Sequence, residues 1–280
     1  TNVTISGNSA SQAGGGMYVN NSDPALTHVI IDGNTATYGG GVYIQGSNGW
    51  DAGDKINFTG NLISNNYSVG HGGGLFIGAS SEINLTNSTI AGNMVGEGDV
   101  FGAGIYSDGG TANLVNSIVY YNRREGDYGI NYNLNGYTME YLQEYNVTYS
   151  DIEGDEEWFP EGEGNISSDP DFVDFENSGN YTLQSTSPCI DAGTADLDGD
   201  GYDDITDYFG QAPDMGAFEY EGSSLLGDLN GDGLINILDV VVLVNIVLGG
   251  SEPIDAGDLN GDGILNVLDV VALVSIILGN

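Results

Sequence analysis

Over the first 120 residues, short stretches of alternating apolar and polar positions are separated by polar and glycine-rich breaks, and two patterns recur. The first is a β-branched or apolar pair followed by two variable residues and Asn: Thr4-Ile5 with Asn8, Ile30-Ile31 with Asn34, Leu62-Ile63 with Asn66, Thr89-Ile90 with Asn93, and Ile118-Val119 with Asn122. The second follows each of the first four: Gly14-Gly15-Gly16-Met17-Tyr18, Gly39-Gly40-Gly41-Val42-Tyr43, Gly72-Gly73-Gly74-Leu75-Phe76 and Gly102-Ala103-Gly104-Ile105-Tyr106. From Ile5 to Ile31, Ile63, Ile90 and Val119 the steps are 26, 32, 27 and 29 residues, a period that marks a solenoid. Segments such as "HVIIDG" and "GGVYIQG" are short, alternating and β-branched, so they predict strands. One coil of short strands cannot bury its own apolar face, whereas stacked coils can. The expected fold class is therefore mostly β: a right-handed parallel β-helix over residues 1–222, with a C-terminal cap. The recurring Asn is expected in a left-handed backbone conformation, its amide bonding up the stack. The Gly triplets suit sharp corners and close approach of neighbouring coils.

The pattern changes in the last fifth of the chain. "GDLNGDGLINILDVVVLVNIVLGG" (227–250) is followed by "GDLNGDGILNVLDVVALVSIILGN" (257–280), each an acidic loop leading into one apolar segment of helical length. Calcium takes six to eight oxygens, and a twelve-residue loop supplies them from positions 1, 3, 5, 7, 9 and 12, with Gly at 6. The first copy offers Asp228, Asn230, Asp232, the Leu234 carbonyl, Asn236 and Asp239, with Gly233 at position 6. The second offers Asp258, Asn260, Asp262, the Ile264 carbonyl, Asn266 and Asp269, with Gly263. A third match, "DLDGDGYDDITD", gives Asp196, Asp198, Asp200, the Tyr202 carbonyl, Asp204 and Asp207, with Gly201. No apolar helix follows it, so it reads as a calcium-clamped loop in the end cap of the β-helix. Residues 223–280 are expected to form a small α-helical calcium-binding domain, stapled by its metal as small modules commonly are. Its helices are apolar nearly all round, so two of them packed together leave a surface that must dock onto something.

The 280 residues carry a net charge of −38, with Lys55, Arg123 and Arg124 the only cations. Such a chain repels phosphate backbones and anionic lipid, which sets aside nucleic acid and membrane-surface partners. Bound divalent cations would relieve its self-repulsion. The longest apolar run, Ile237 to Leu248, is broken by Asp239 and Asn245 and is too short to span a bilayer. Thr at position 1, with no signal peptide ahead of it, reads as a processed, mature secreted product. The single cysteine, Cys189, excludes an internal disulfide and reads as a small buried core residue.

Candidate catalytic groups are few. Arg123-Arg124 offer an anion site or a solvated pair that meets nearby acid. His71 in "GHGGG" is similar to the Gly-His-Gly of polygalacturonases, but that family's paired aspartates and Arg-x-Lys are missing, and the glycines follow from the repeat. The run Asp151, Glu153, Asp155, Glu156 and Glu157 with Trp158-Phe159 suits a carbohydrate-stacking platform or an ordinary solvated loop. Nine Asn-x-Ser/Thr sequons, at Asn2, Asn20, Asn57, Asn66, Asn84, Asn87, Asn146, Asn165 and Asn180, arise readily in Asn- and Thr-rich coils.

Over residues 1–220 the Gly-rich repeats, together with "NSIVYYN", "VTYSDIEG", "GNISSDPDFVD", "YTLQSTSPCIDAG" and "DMGAFEY", resemble the polymorphic outer membrane proteins and related bacterial β-helix proteins. Over about 225–280 the duplicated loop–helix with Asp at the last ligand position resembles type I dockerin. The first resemblance implies a secreted or surface-displayed β-helix and no particular reaction. The second implies calcium and a cohesin-type partner recognised at loop positions 10 and 11, here Ile237, Leu238, Val267 and Leu268, and at the helix faces. The basic residues usual in dockerin helices are absent, so a neighbouring subunit is the other candidate partner. An uncapped first coil with a sticky module would stack head to tail into a filament. The resulting expectation is an extracellular, non-catalytic, structural or adhesive protein assembled through its module. The alternatives are a polysaccharide-binding or polysaccharide-cleaving β-helix tethered to a cohesin scaffold, and a monomeric surface adhesin.

Overall fold

The computed structural model describes residues 1–45, 55–98, 100–126, 133–136, 145–154, 160–221, 226–230, 234–249 and 255–278. Two compact units divide the chain, residues 1–208 with 212–219, and residues 209–211 with 220–280.

The first unit is a parallel β-solenoid. One sheet stacks Thr4–Ser6, Ile30–Asp32, Leu62–Ser64, Thr89–Ala91, Ile118–Tyr120 and Asp151–Ile152 in chain order. A second stacks Met17–Val19, Val42–Ile44, Leu75–Gly78, Ile105–Asp108 and Leu134–Gly136. A third stacks Ala25–Thr27, Lys55–Thr59, Glu82–Thr86, Thr111–Val115 and Tyr145–Thr148. Two-residue strands from Thr35–Ala36 to Arg123–Arg124 form a fourth, narrow sheet. Register is kept from coil to coil, so Ile5, Ile31, Ile63, Ile90, Val119 and Ile152 form one column. Strand side chains alternate between faces, and the inward column of each sheet meets the others in one core that includes Ile31, Ile44, Phe58, Leu75, Ile90 and Leu114.

Two corners are held by polar ladders. At the first, Nδ2 of Asn8, Asn34, Asn66, Asn93 and Asn122 donates to Oδ1 of the next member, ending on Asn133, at 2.8–3.0 Å. Each Oδ1 also accepts the backbone N–H of the preceding coil, and Asn34, Asn66, Asn93 and Asn122 donate again to a strand carbonyl of that coil. The ladder is as expected, but the left-handed residue is not the Asn. It is the residue before it: Gly7, Gly33, Asn65, Gly92 and Tyr121, with φ between +53° and +66°. That reversal of the chain turns the following amide inward, where no water competes for its hydrogen bonds. At the second corner Asn61, Ser88, Ser117, Ser150 and Asn165 accept successive backbone N–H groups in the same way. This second ladder is not expected from the Asn and Gly repeats. His28 and Gly60 are among its left-handed residues. In the Gly triplets the first residue has positive φ, and the middle one, as at Gly40, has the Tyr67 and Gly73 carbonyls where a Cβ would sit.

Residues 163–168 lie at the end of the solenoid, where Ile166 pairs in parallel with Asp151 and exchanges backbone bonds with Ser150 and Ile152. Residues 169–208 and 212–219 are not part of the expected end cap and turn back along the outside of the first sheet as a strap. An antiparallel hairpin, Phe172–Asp174 with Asn180–Leu183, encloses the one-turn helix α1 (Phe175–Ser178). Tyr181 Oη donates to Asn65 Oδ1, Thr194 N to Asn116 Oδ1, Gly216 N to the Asn116 carbonyl, and Ala217 N to Thr89 Oγ1. A Cβ on Gly216 would lie 2.8 Å from Ile118 Cδ1, so only glycine lets the strap lie this close. The physical reason for the strap is in the first sheet. Leu62, Ser64, Thr89, Ala91 and Ile118 point outward from it, are small or apolar, and are buried only because the strap covers them.

In the second unit α2 (Ile237–Val247) and α3 (Val267–Ile277) pack through Leu243, Ile246 and Leu273, joined by Leu229 and the partly buried Ile235, Leu259 and Leu265. A single 3-10 turn, Asp255–Gly257, precedes the second loop. Among the described residues no helix is long and apolar enough to cross a membrane.

Candidate functional site

Each helix of the second unit begins where its loop ends. Asn236 and Asn266, at position 9, are the N-caps, and their side chains accept Leu238 N and Leu268 N at 2.8 Å. Asp239 and Asp269, at position 12, close a capping box by accepting Asn236 N and Asn266 N. Both carboxylates are fully buried, and the second oxygen reaches back across the loop: Asp239 Oδ1 accepts Leu229 N and Asn230 N, and Asp269 Oδ1 accepts Asn260 N. The N-x-x-D spacing of the expected ligands is thus also a helix start.

Asp258 takes the N–H groups of Gly261, Asp262 and Gly263, Asn260 takes Asp262 N, and Asp262 takes Ile264 N. Gly261 and Gly263 both have positive φ, which draws the loop into a ring around these oxygens. In the first loop Asp228 is buried, Asn230, Leu234 and Asn236 are placed, and Asp232 lies outside the described residues. Residues 226–280 hold eight acidic side chains and no Lys or Arg, so nothing cationic in the segment balances Asp228, Asp239 and Asp269. Buried carboxylates of this kind need a charge partner, and an all-oxygen set fits calcium.

Over positions 1 to 7 the loop at 196–207 repeats the bonding of the second loop. Asp196 accepts Gly199, Asp200 and Gly201 N–H, Asp198 accepts Asp200 N, and Asp200 accepts Tyr202 N. Gly199 and Gly201 have positive φ, as Gly261 and Gly263 do. Carboxylate oxygens of Asp196, Asp198 and Asp204 lie within 4.8 Å of one another. Asp200 and Asp207 stand outside this trio, and Asp204 Oδ2 instead accepts Leu197 N.

The partner-facing expectation falls on exposed side chains. Ile237, Leu238, Val267 and Leu268 are 64%, 56%, 63% and 60% exposed. Val241, Val244 and Leu248 continue the first stripe, and Val271, Val274 and Leu278 the second, opposite the buried Leu243 and Leu273. The internal repeat thus presents the same apolar stripe twice.

On the solenoid the cations are engaged. Arg123 forms a two-pronged pair with Glu153 at 2.6 Å for both bonds, and Glu153 also accepts Tyr121 N and Asn133 Nδ2. Lys55 pairs with Glu82 at 3.0 Å, and Arg124 donates to the Gly98 carbonyl. The His71 ring lies between Tyr106 and Phe101, its Nδ1 accepts Phe101 N, and burial lowers its pKa. It is a neutral member of a stack. The rings form two outer columns not among the expected features: Tyr18–Tyr43–Phe76–Tyr106, and Tyr38–His71–Phe101. Their signal was present, since both columns flank the glycine motif. Of the acidic run suggested as a stacking platform or solvated loop, Asp151 and Glu153 are buried, and Asp155–Phe159 lie outside the described residues.

Cys189 is buried, but against a carboxylate rather than in an apolar core. Its Sγ donates to Asp151 Oδ2 at 3.3 Å, and Ser168 N donates to Asp151 Oδ1. Burial pushes Asp151 up to about 7, and burial, with Asp151 beside it, pushes the thiol far above its usual range.

Neither the curated proteins nor the solved structures give a match to this chain. Residues 226–278 match the family profile of the dockerin type I domain, so the duplicated loop–helix segment that follows the β-solenoid is a dockerin type I domain.

Proposed function

We propose that this protein is a secreted, calcium-stabilised, non-catalytic β-solenoid that joins an extracellular assembly through its dockerin. A dockerin indicates assembly with a protein partner of the cohesin type, and such domains generally bind calcium. The observation that carries the reading is the pair of uncharged apolar stripes headed by Ile237-Leu238 and Val267-Leu268. A partner surface that covers them is flat and apolar, whether it belongs to a cohesin or to a second copy of this chain. Asp228, Asn230, Asp232, Asn236 and Asp239, with the Leu234 carbonyl, would hold one ion. Asp258, Asn260, Asp262, Asn266 and Asp269, with the Ile264 carbonyl, would hold a second, and the strap loop around Asp196, Asp198 and Asp204 a third. Bound calcium would supply charge neutralisation and hold each loop closed; the chain's own residues start the helices and shape the apolar stripes.

A non-catalytic solenoid accords with the engagement of Lys55, Arg123 and Arg124 and with the stacked, neutral His71. The test is electron microscopy and light scattering of the full chain at millimolar calcium and after EDTA, with and without a cohesin. Calcium-dependent filaments or a calcium-dependent cohesin complex support the reading. A monodisperse chain that binds no cohesin at any calcium concentration refutes it.

A further inference from the structure

The outward face of the third sheet carries a second regular array. Three columns run along the solenoid: Lys55, Glu82 and Thr111; Asn57, Asn84, Asn113 and Asn146; and Thr27, Thr59, Thr86, Val115 and Thr148. None of these side chains is buried, and among the described residues no strap covers this face as the strap covers the first sheet. The central column is ordered although water surrounds it. Asn146 Nδ2 donates to Asn113 Oδ1, Asn113 to Asn84 and Asn84 to Asn57, at 2.7–2.9 Å. Asn113 reaches Glu82 Oε1 as well.

We propose that this face is a binding site for an extended, uncharged β-linked hexose polymer lying along the solenoid axis, one sugar to a coil. Four observations converge on that ligand. Neighbouring coils are spaced by the parallel-strand distance, about 4.8 Å; a hexose in an extended β-1,4-linked chain advances by slightly more and turns over from one sugar to the next, so like groups meet every second coil. Each coil presents an amide and, two residues on, mostly a hydroxyl; together they donate and accept, as paired sugar hydroxyls require. The amides are already aligned by their ladder, so a ligand does not meet the cost of ordering them. Among the described residues the face holds one cation and one anion, Lys55 and Glu82, which neutralise each other at 3.0 Å. On a chain of net charge −38 this is a neutral strip, which suits an uncharged polymer, while the rest of the surface repels an anionic one. The same pattern accounts for three sequons, since Asn57-Phe58-Thr59, Asn84-Leu85-Thr86 and Asn146-Val147-Thr148 are coils of this face.

The experiment uses the full chain in millimolar calcium. Titration calorimetry and NMR are run with β-1,4-linked glucan and mannan hexamers, and depletion assays with the insoluble polymers. An α-1,4-linked glucan hexamer and polygalacturonate serve as controls. The expected result is binding of at least one β-linked hexamer and of neither control. The double variant Thr59→Val with Thr86→Val removes two hydroxyls and leaves the ladder intact, and it should weaken binding about tenfold. Asn84→Leu breaks the ladder at its middle and should abolish binding; its circular dichroism and urea midpoint report whether the solenoid is retained. Ile237→Ser with Val267→Ser, in the dockerin, should leave glycan binding unchanged. No binding of either β-linked hexamer overturns the proposal. So does equal binding of the α-linked chain or of polygalacturonate, or a Thr double variant that binds as the parent does.

Discussion

Asp151 gives the sharpest stability test. It is fully buried at the last strand of the first sheet, and among the described residues its carboxyl is bonded to the Ser168 amide and to the Cys189 thiol of the strap. The neighbouring charges, Asp169 and Glu153, also disfavour its ionisation. Its carboxyl stands at about 7 in the fold against 3.8 in the unfolded chain. A raised acid holds its proton in the fold over a range where the unfolded chain has already lost it. Stability therefore declines as pH rises from about 4 to about 7 and levels off beyond. The shift of about three pH units corresponds to roughly 4 kcal/mol between the two plateaus. Asp151→Asn removes this titration and keeps an oxygen for Ser168 N. Urea unfolding of the parent chain and the variant, in saturating calcium from pH 4 to pH 8, reads the difference directly and cancels the titration of the loops. The variant should gain on the parent by about 4 kcal/mol across that range. Hydrogen exchange at residues 166–168 and 187–190 should show where the gain falls. A stability difference that is flat with pH, or that moves in the parent's favour as pH rises, refutes the reasoning.

Three further outcomes are expected. Arg123→Ala strands the nearly buried Glu153 carboxylate and should cost about 3 kcal/mol by urea denaturation, with Arg123→Lys recovering part of the loss. Asn66→Ala leaves the buried Asn34 N–H without its acceptor and the Ile31 carbonyl without its donor, and should cost about 2–4 kcal/mol on the same assay. EDTA should remove the helical circular dichroism of α2 and α3, and Asp269→Ala should make that loss occur at higher free calcium, by calcium titration.

The solenoid was legible because its period writes itself into Ile5, Ile31, Ile63, Ile90 and Val119 and into the Asn that follows each. The backbone role of that Asn was misread: its preference for left-handed conformations is real, but a buried amide was needed more, and Tyr121 shows that the left-handed position accepts an unlikely residue. The strap was missed because a solenoid raises the question of its ends rather than its sides. Leu62, Thr89, Ala91 and Ile118 were the available sign, since the third sheet places Asn and Thr at the equivalent outward positions. The loops were read from ligand spacing alone, and the capping boxes show why that spacing also starts a helix.

The strap changes how the solenoid should come apart. Stacked coils touch only their neighbours, so such arrays fray one coil at a time and tolerate broken states. Here Tyr181 holds Asn65 across 116 residues, and Ala217 holds Thr89 across 128. Losing a middle coil therefore also releases the strap from coils on either side. A stack that would otherwise melt by degrees is tied into one cooperative body, and a protease that meets it finds few partly opened forms to cut.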